Sequence, residues 1–149
     1  MPVAPSEVTD AIEITFRYTT LTAQMRLCYP SANESIFQLY ANSSSRAAFS
    51  LNTSWTAVSG NNYSAIGTVK HTYKVDYKNK KAIYDFYEVT IGSSTKAATS
   101  NLCIVGKRGS DPQFKGNIYS VKFWRNDTLL YDLVPVKKNG KGYFFDKIN

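Results

Sequence analysis

The sequence predicts an all-β sandwich. Three observations predict it: residues suited to a half-buried pleated surface, apolar–polar alternation in short runs, and turn residues between those runs. Aromatics make up 14%, of which 11 residues are Tyr, and Tyr, Thr, Val, Ile and Phe all favour strands. The hydrophobic fraction of 43% is too high for a disordered chain. A length of 149 residues suits one domain with a sizeable core, and the chain is read as a single domain over 1–149. No linker-like composition shift, internal repeat or amphipathic helix interrupts that reading.

The elements follow in order. Ile12, Ile14, Phe16 and Tyr18 share one face of a run whose other face is Glu13, Thr15 and Arg17. Period-2 alternation of this kind predicts a half-buried strand. Gln24 to Tyr29 and Ser35 to Ala41 read as strands around a turn at 30–34, and Arg46 to Leu51 follows a Ser-rich turn. Ser59-Gly60-Asn61-Asn62 is loop chemistry. Lys70 to Tyr77 is the clearest strand, with His71, Tyr73, Val75 and Tyr77 on one face. A turn at 78–80 leads into a strand from Ala82 to Ile91, making a hairpin. Leu102 to Gly106 is short and apolar. Phe114 to Arg125 is long, Asn126-Asp127 turns it back, and Thr128 to Val134 returns. Gly142 to Asp146 adds a last strand.

Charge and cysteine usage bound the function. The formal charge is +7 with a pI near 9.4. The lysines are scattered along the chain, and the tightest group, Lys78 to Lys81, falls at a hairpin tip. Solvated turns and strand edges explain them better than a nucleic-acid groove. Cys28 and Cys103 match no metal spacing and sit in apolar runs, so they read as buried free thiols. A disulfide between them requires export and close Cα atoms. The N-terminus shows no basic region followed by an apolar run, and no stretch is apolar enough to span a membrane as a helix.

The last third carries the most specific pattern. It runs Phe114-Lys-Gly116-Asn-Ile118-Tyr119, then Arg125-Asn126-Asp127-Thr128-Leu129, then Asp132-Leu-Val-Pro135, then Tyr143-Phe-Phe-Asp146. This resembles the closing segment of the concanavalin A-like lectin/glucanase superfamily in its laminin-G-like form, as found in phage and prophage structural proteins and gut-bacterial surface proteins. His71 to Asp76 followed by Lys80 to Asp85 resembles the hairpin these domains place before a D-G turn, although Phe86 stands where the glycine belongs. Ile12 to Phe16 resembles the family's early strand. The resemblance implies a two-sheet antiparallel jelly roll. Gly116 then marks a bulge or close backbone approach, Asn126-Asp127 a tight turn, and Pro135 a strand end.

Catalytic signatures are missing where the resemblance would place them. Hydrolytic relatives carry paired carboxylates on one strand, as acid and base or nucleophile. The nearest grouping here is Asp85 with Glu88, whose spacing on one strand sets them on opposite faces. His71, the one histidine, lies on the face of Tyr73 and Val75 and is expected to be packed and hydrogen-bonded. Laminin-G-like domains often bind calcium at the sandwich rim, and Asp111 with carbonyls near Ser110 is the one weak candidate; a single carboxylate is too few ligands. No resident cofactor is expected. A sugar site needs aromatics beside amide and hydroxyl groups, and Trp55, Asn61, Asn62 and Tyr63 form the best local cluster. Trp124 shares the Ile118 face by alternation and is expected in the core or at an inter-subunit contact, which leaves room for a homo-oligomer.

The sequence reading is therefore a non-enzymatic binding or adhesion module. By resemblance it belongs to a virion, as tail fibre, receptor-binding or capsid-decoration protein, or to a bacterial surface if it is cut from a longer chain. Its expected partner is a glycan or a virion or cell-surface protein. A carbohydrate-active enzyme of the same fold and a polyanion-binding surface domain are the alternatives.

Overall fold

The computed structural model describes residues 11–19, 25–30, 38–41, 47–51, 54–57, 69–76, 78–90, 102–104 and 114–149. Among them every regular element is a strand. Seven strands form one antiparallel sheet: β1 (Ala11–Tyr18), β6 (His71–Asp76), β7 (Lys81–Tyr84), β8 (Tyr87–Thr90), β10 (Gly116–Arg125), β11 (Thr128–Lys138) and β12 (Lys141–Asp146), in the order β12-β11-β10-β1-β6-β7-β8. The other five are β2 (Met25–Pro30), β3 (Gln38–Ala41), β4 (Ala47–Leu51), β5 (Ser54–Ala57) and β9 (Leu102–Ile104). They pair antiparallel in the order β5-β4-β3-β2-β9.

β1 is the central strand of the larger sheet, and the alternation read from its sequence is the alternation it adopts. Ile12, Ile14, Phe16 and Tyr18 are buried, while Glu13, Thr15 and Arg17 face the other way. Tyr73 and Val75 of β6, Ala82 and Tyr84 of β7, Val121 and Phe123 of β10 and Leu133 of β11 join them. Leu27 of β2 is buried in the same cluster, and Ile104 of β9 packs against it. Burying a side chain such as Ile14 or Phe16 stabilises by about 2 kcal/mol. The half-exposed ion pairs on the opposite face contribute under about 1 kcal/mol each. The apolar face therefore fixes the register, and the ion pairs follow it.

β10 departs from simple alternation. Its pairing with β1 runs Tyr18↔Gly116 to Phe16↔Ile118, then steps to Thr15↔Ser120. Tyr119 is the extra residue of a β-bulge. The step reverses the side-chain parity, so Ile118 packs against the core, as do Val121 and Phe123 further along. Trp124 accordingly turns to the outer face, away from Ile118, and the expectation from strict alternation fails there. Gly116 marks a close backbone approach. A Cβ on it would lie 2.1 Å from the Arg17 carbonyl oxygen and 2.7 Å from the Phe114 ring.

The turns correct three further expectations. The run from Ala82 to Ile91 is not one strand: Asp85-Phe86 folds β7 back on β8, with Asp85 at φ 52°. Asn126 and Asp127 both have positive φ, as does the Asn139-Gly140 pair, which suits two-residue hairpin turns. The second of these turns lets β11 run on to Lys138, well past Val134. Pro135 is consequently inside β11, opposite Phe144, and not at its end. It is tolerated because β10 stops pairing with β11 at Val121↔Leu133, leaving β12 as the only neighbouring strand there among the described residues.

Gly116→Ala should lower unfolding stability by about 2–3 kcal/mol, because the obstructing atom is backbone carbonyl and cannot swing aside. Urea unfolding of the two proteins checks this. A change under about 0.5 kcal/mol, the usual range for a neutral surface substitution, would show that β1 and β10 are not held this tightly.

Candidate functional site

The outer face of the larger sheet has an ionic middle row. Asp132, Lys122, Glu13 and Lys74 stand side by side on β11, β10, β1 and β6. Lys122 Nζ lies 3.3 Å from Glu13 Oε1, and Lys74 Nζ lies 3.7 Å from Asp76 Oδ2. Lys74 Nζ also sits 5.0 Å from the centre of the Trp124 ring, a cation–π contact that holds the outward-turned indole.

The chemistry changes at the end of the sheet where β1 finishes and β6 and β10 begin. Arg17 is the last outward residue of β1 before Tyr18. Lys70 immediately precedes His71, which pairs with Phe16, so Lys70 is the next position across from Arg17. Arg17 Nη2 donates to Asn117 Oδ1 at 3.1 Å. Lys70 Nζ lies 4.9 Å from the centre of the Tyr119 ring. The bulge that reverses β10's parity is what leaves Tyr119 37% exposed.

The β11–β12 hairpin projects toward the same end, because β11 runs antiparallel to β10. Val136 pairs with Tyr143 and Val134 with Phe145, which puts these four side chains on one face. Val136 is 40% exposed, Tyr143 51% and Phe145 56%. Lys138 and Lys141 pair on the same face at the exposed tip, and Lys137 alternates to the other face. A carboxylate anchors the hairpin's other end. Asp146 Oδ1 accepts the Asp132 and Ile148 N–H groups, each at 3.1 Å, and its Oδ2 accepts Asn149 Nδ2 at 2.7 Å. Lys147 Nζ reaches Asp132 Oδ2 at 3.0 Å. Burial pushes the Asp146 carboxyl up, but those three hydrogen bonds together outweigh it and hold the group below its ordinary 3.8.

A second polar constellation lies inside. His71 is 2% exposed, and its Nδ1–H donates to Asp85 Oδ2 at 2.7 Å. Asp85 Oδ1 accepts the Thr72 N–H at 2.8 Å, and the Asp85 N–H donates to the Thr72 carbonyl at 2.8 Å. A His–Asp pair is part of a nucleophile triad in many hydrolases. Here the imidazole packs against the Phe16 and Tyr84 rings, with centroids at 6.0 and 5.4 Å. The pair acts as a staple between β6 and the Asp85-Phe86 turn, and His71 is packed and hydrogen-bonded as its alternation predicts. Asp85 lies in that turn and Glu88 on β8, so they do not share a strand. Glu88 instead pairs with Lys81 at 2.8 Å.

The Trp55 backbone belongs to β5, opposite Ser50. Its side chain, and Asn61, Asn62, Tyr63 and Asp111, lie outside the described residues. Cys103 is a free, half-buried thiol on β9, and the Cys28 side chain lies outside the described residues. Among the described residues no three His, Cys, Asp or Glu side chains gather as metal ligands. Arg17, Lys70 and Asn117 escaped the sequence reading because only strand pairing unites them, and Tyr119 was read as part of a fold-specifying motif. The chain matches no family model, no curated protein and no solved structure.

Two measurements follow from these contacts. Asp85→Ala removes the acceptor shared by His71 and Thr72 and should cost about 2 kcal/mol of stability in thermal or urea unfolding. Retained stability would rule out the staple. The lowered Asp146 pKa gives stability that is present above the ordinary carboxylate value and is lost as pH falls through the depressed one. Amide-exchange protection at Asp132 and Ile148, relative to the intrinsic rate at each pH, should therefore fall below about pH 3.8, and Asp146→Asn should flatten that acid dependence.

Proposed function

We propose that the chain is a non-enzymatic binding and adhesion module, built as a two-sheet jelly-roll sandwich of the concanavalin A-like, laminin-G-like kind. Its place is a phage virion or a bacterial surface, and its target is a cell-surface glycan presented to the outer face of the larger sheet. The sandwich is supported by Leu27 and Ile104, which belong to the strands of the smaller sheet and share the core of the larger one. The family assignment rests on the order and spacing of the motifs from Phe114 to Asp146.

One observation carries the binding reading. Tyr119, Val136, Tyr143 and Phe145 project from the solvent side of a paired sheet, with Asn117, Arg17 and lysines at the same end. Exposed apolar side chains of this size, gathered and rimmed by polar groups, mark interaction sites. Aromatic rings stack on the C–H faces of sugars, while amides and cations fix orientation. The strands that carry these groups are tied to the core, so little ordering is needed on binding.

A glycan array probed with the purified protein tests the reading. Binding should fall roughly tenfold in Tyr119→Ala and in Phe145→Ser, with folding retained. Binding that ignores both changes would remove this face from the reading. Turnover of any bound polysaccharide would replace the binding module by an enzyme.

A further inference from the structure

We propose that Arg17, Lys70, Asn117 and Tyr119 together form a site for the carboxylate of an acidic sugar residue. This inference rests on the glycan-binding reading and names the class of glycan.

The electrostatics are the starting point. Cationic side chains on this sheet commonly have a carboxylate beside them: Lys122 has Glu13, Lys74 has Asp76, Lys81 has Glu88, Lys147 has Asp132, and Lys78 has Asp127. Arg17 and Lys70, like Lys138 and Lys141 at the hairpin tip, have no carboxylate partner among the described residues. Arg17 follows Phe16 on β1 and Lys70 precedes His71 of β6, so they are the next positions across from one another. Like charges opposite one another across two strands repel. An arriving anion removes that cost and gains two charge-assisted contacts.

The hydrogen-bonding groups are set for the same ligand. Asn117 Oδ1 is committed to Arg17 Nη2, so the amide Nδ2 is left to donate outward. Arg17 Nε has no acceptor among the described residues. With Nη2 tied to Asn117, the remaining terminal N–H groups of the guanidinium are the donors left for a carboxylate, the anion arginine favours. Tyr119 supplies a ring beside these donors for the sugar's C–H face, and Lys70 over the ring couples the two functions.

The same face argues against a nucleic acid. A polyanion needs a continuous basic track along its backbone. The row beyond this cluster carries Glu13 and Asp132, with Asp76 nearby on β6, and these carboxylates repel successive phosphates. The site suits one anionic group on a ring, not a chain of them.

The test uses the full chain and oligosaccharides of uronic acids, their carboxyl-reduced counterparts, a sulfated oligosaccharide and a single-stranded oligonucleotide. The uronate should bind, and the carboxyl-reduced form should bind roughly tenfold or more weakly. Arg17→Gln and Lys70→Gln should each abolish that preference while the protein remains folded, with a cooperative thermal transition. Lys80→Gln, in the turn at the opposite end of the sheet, should preserve it. Equal binding of the uronate and its reduced form overturns the anionic site and leaves the glycan reading standing. Binding of no saccharide overturns both. A preference for sulfate over carboxylate, or oligonucleotide binding that the same two variants abolish, overturns the carboxylate assignment and reassigns the cations.

Discussion

The contact between Gly116 and the Arg17 carbonyl governs the outer face of this protein. β1 can lie this close to β10 only because position 116 has no Cβ. The tight start is followed within a few residues by the bulge at Tyr119, where one strand accommodates a residue that the other does not match. That single insertion has two consequences. It directs Val121 and Phe123 into the core, where each contributes about 2 kcal/mol, and it turns Tyr119 and Trp124 to the solvent side. The core and the candidate binding face are two results of one irregularity in β10.

The inner face carries polar groups under tighter terms. Tyr18, Tyr73 and Tyr84 bury their rings beside Phe16 and Phe114. The Tyr18 hydroxyl has no hydrogen-bond partner among the described residues, and burial raises its pKa well above 10.0. Aromatic area of this size offsets the desolvation of one hydroxyl. His71 lies at the edge of the same cluster and needs its partner inside the fold. Asp85 supplies it from a turn, which explains how a non-glycine residue holds positive φ there: its carboxylate and its N–H both bond back to the Thr72 backbone.

That turn also shows where the sequence stops being legible. β1 and β6 were readable because one face is fully apolar and the other polar, so period-2 alternation survives in the letters. Asn126-Asp127 was readable because the residue types tolerate positive φ. Asp85-Phe86 was not, since the turn depends on a side chain reaching a strand 13 residues away. The extension of β11 to Lys138 was missed for a different reason. Both faces of that segment are solvated, so apolar alternation fades and its lysines imitate a loop, although Asn139-Gly140 is a strong hairpin signal. The Arg17 cluster had no signal of its own. Positions 17, 70, 117 and 119 meet only through strand pairing and a bulge, and neither is visible in a linear pattern.

The distribution of charge then carries more information than its sum. A net +7 first suggests a diffuse attraction to polyanions. Across the middle of the outer face, however, lysines and carboxylates pair and cancel locally, so little field remains there to attract a phosphate chain. The unbalanced charge lies at one end of the sheet, where Arg17 and Lys70 face each other beside an exposed ring. The hairpin tip repeats the combination with Lys138 and Lys141 on the face of Tyr143. Flexible tip lysines can separate and lose little. Arg17 stands on the central strand with its guanidinium tied to Asn117, and Lys70 lies over the Tyr119 ring, so both cations are positioned beside the same exposed aromatic group. Two cations on adjacent strands without a carboxylate partner among the described residues are the charge that the proposed bound anion balances.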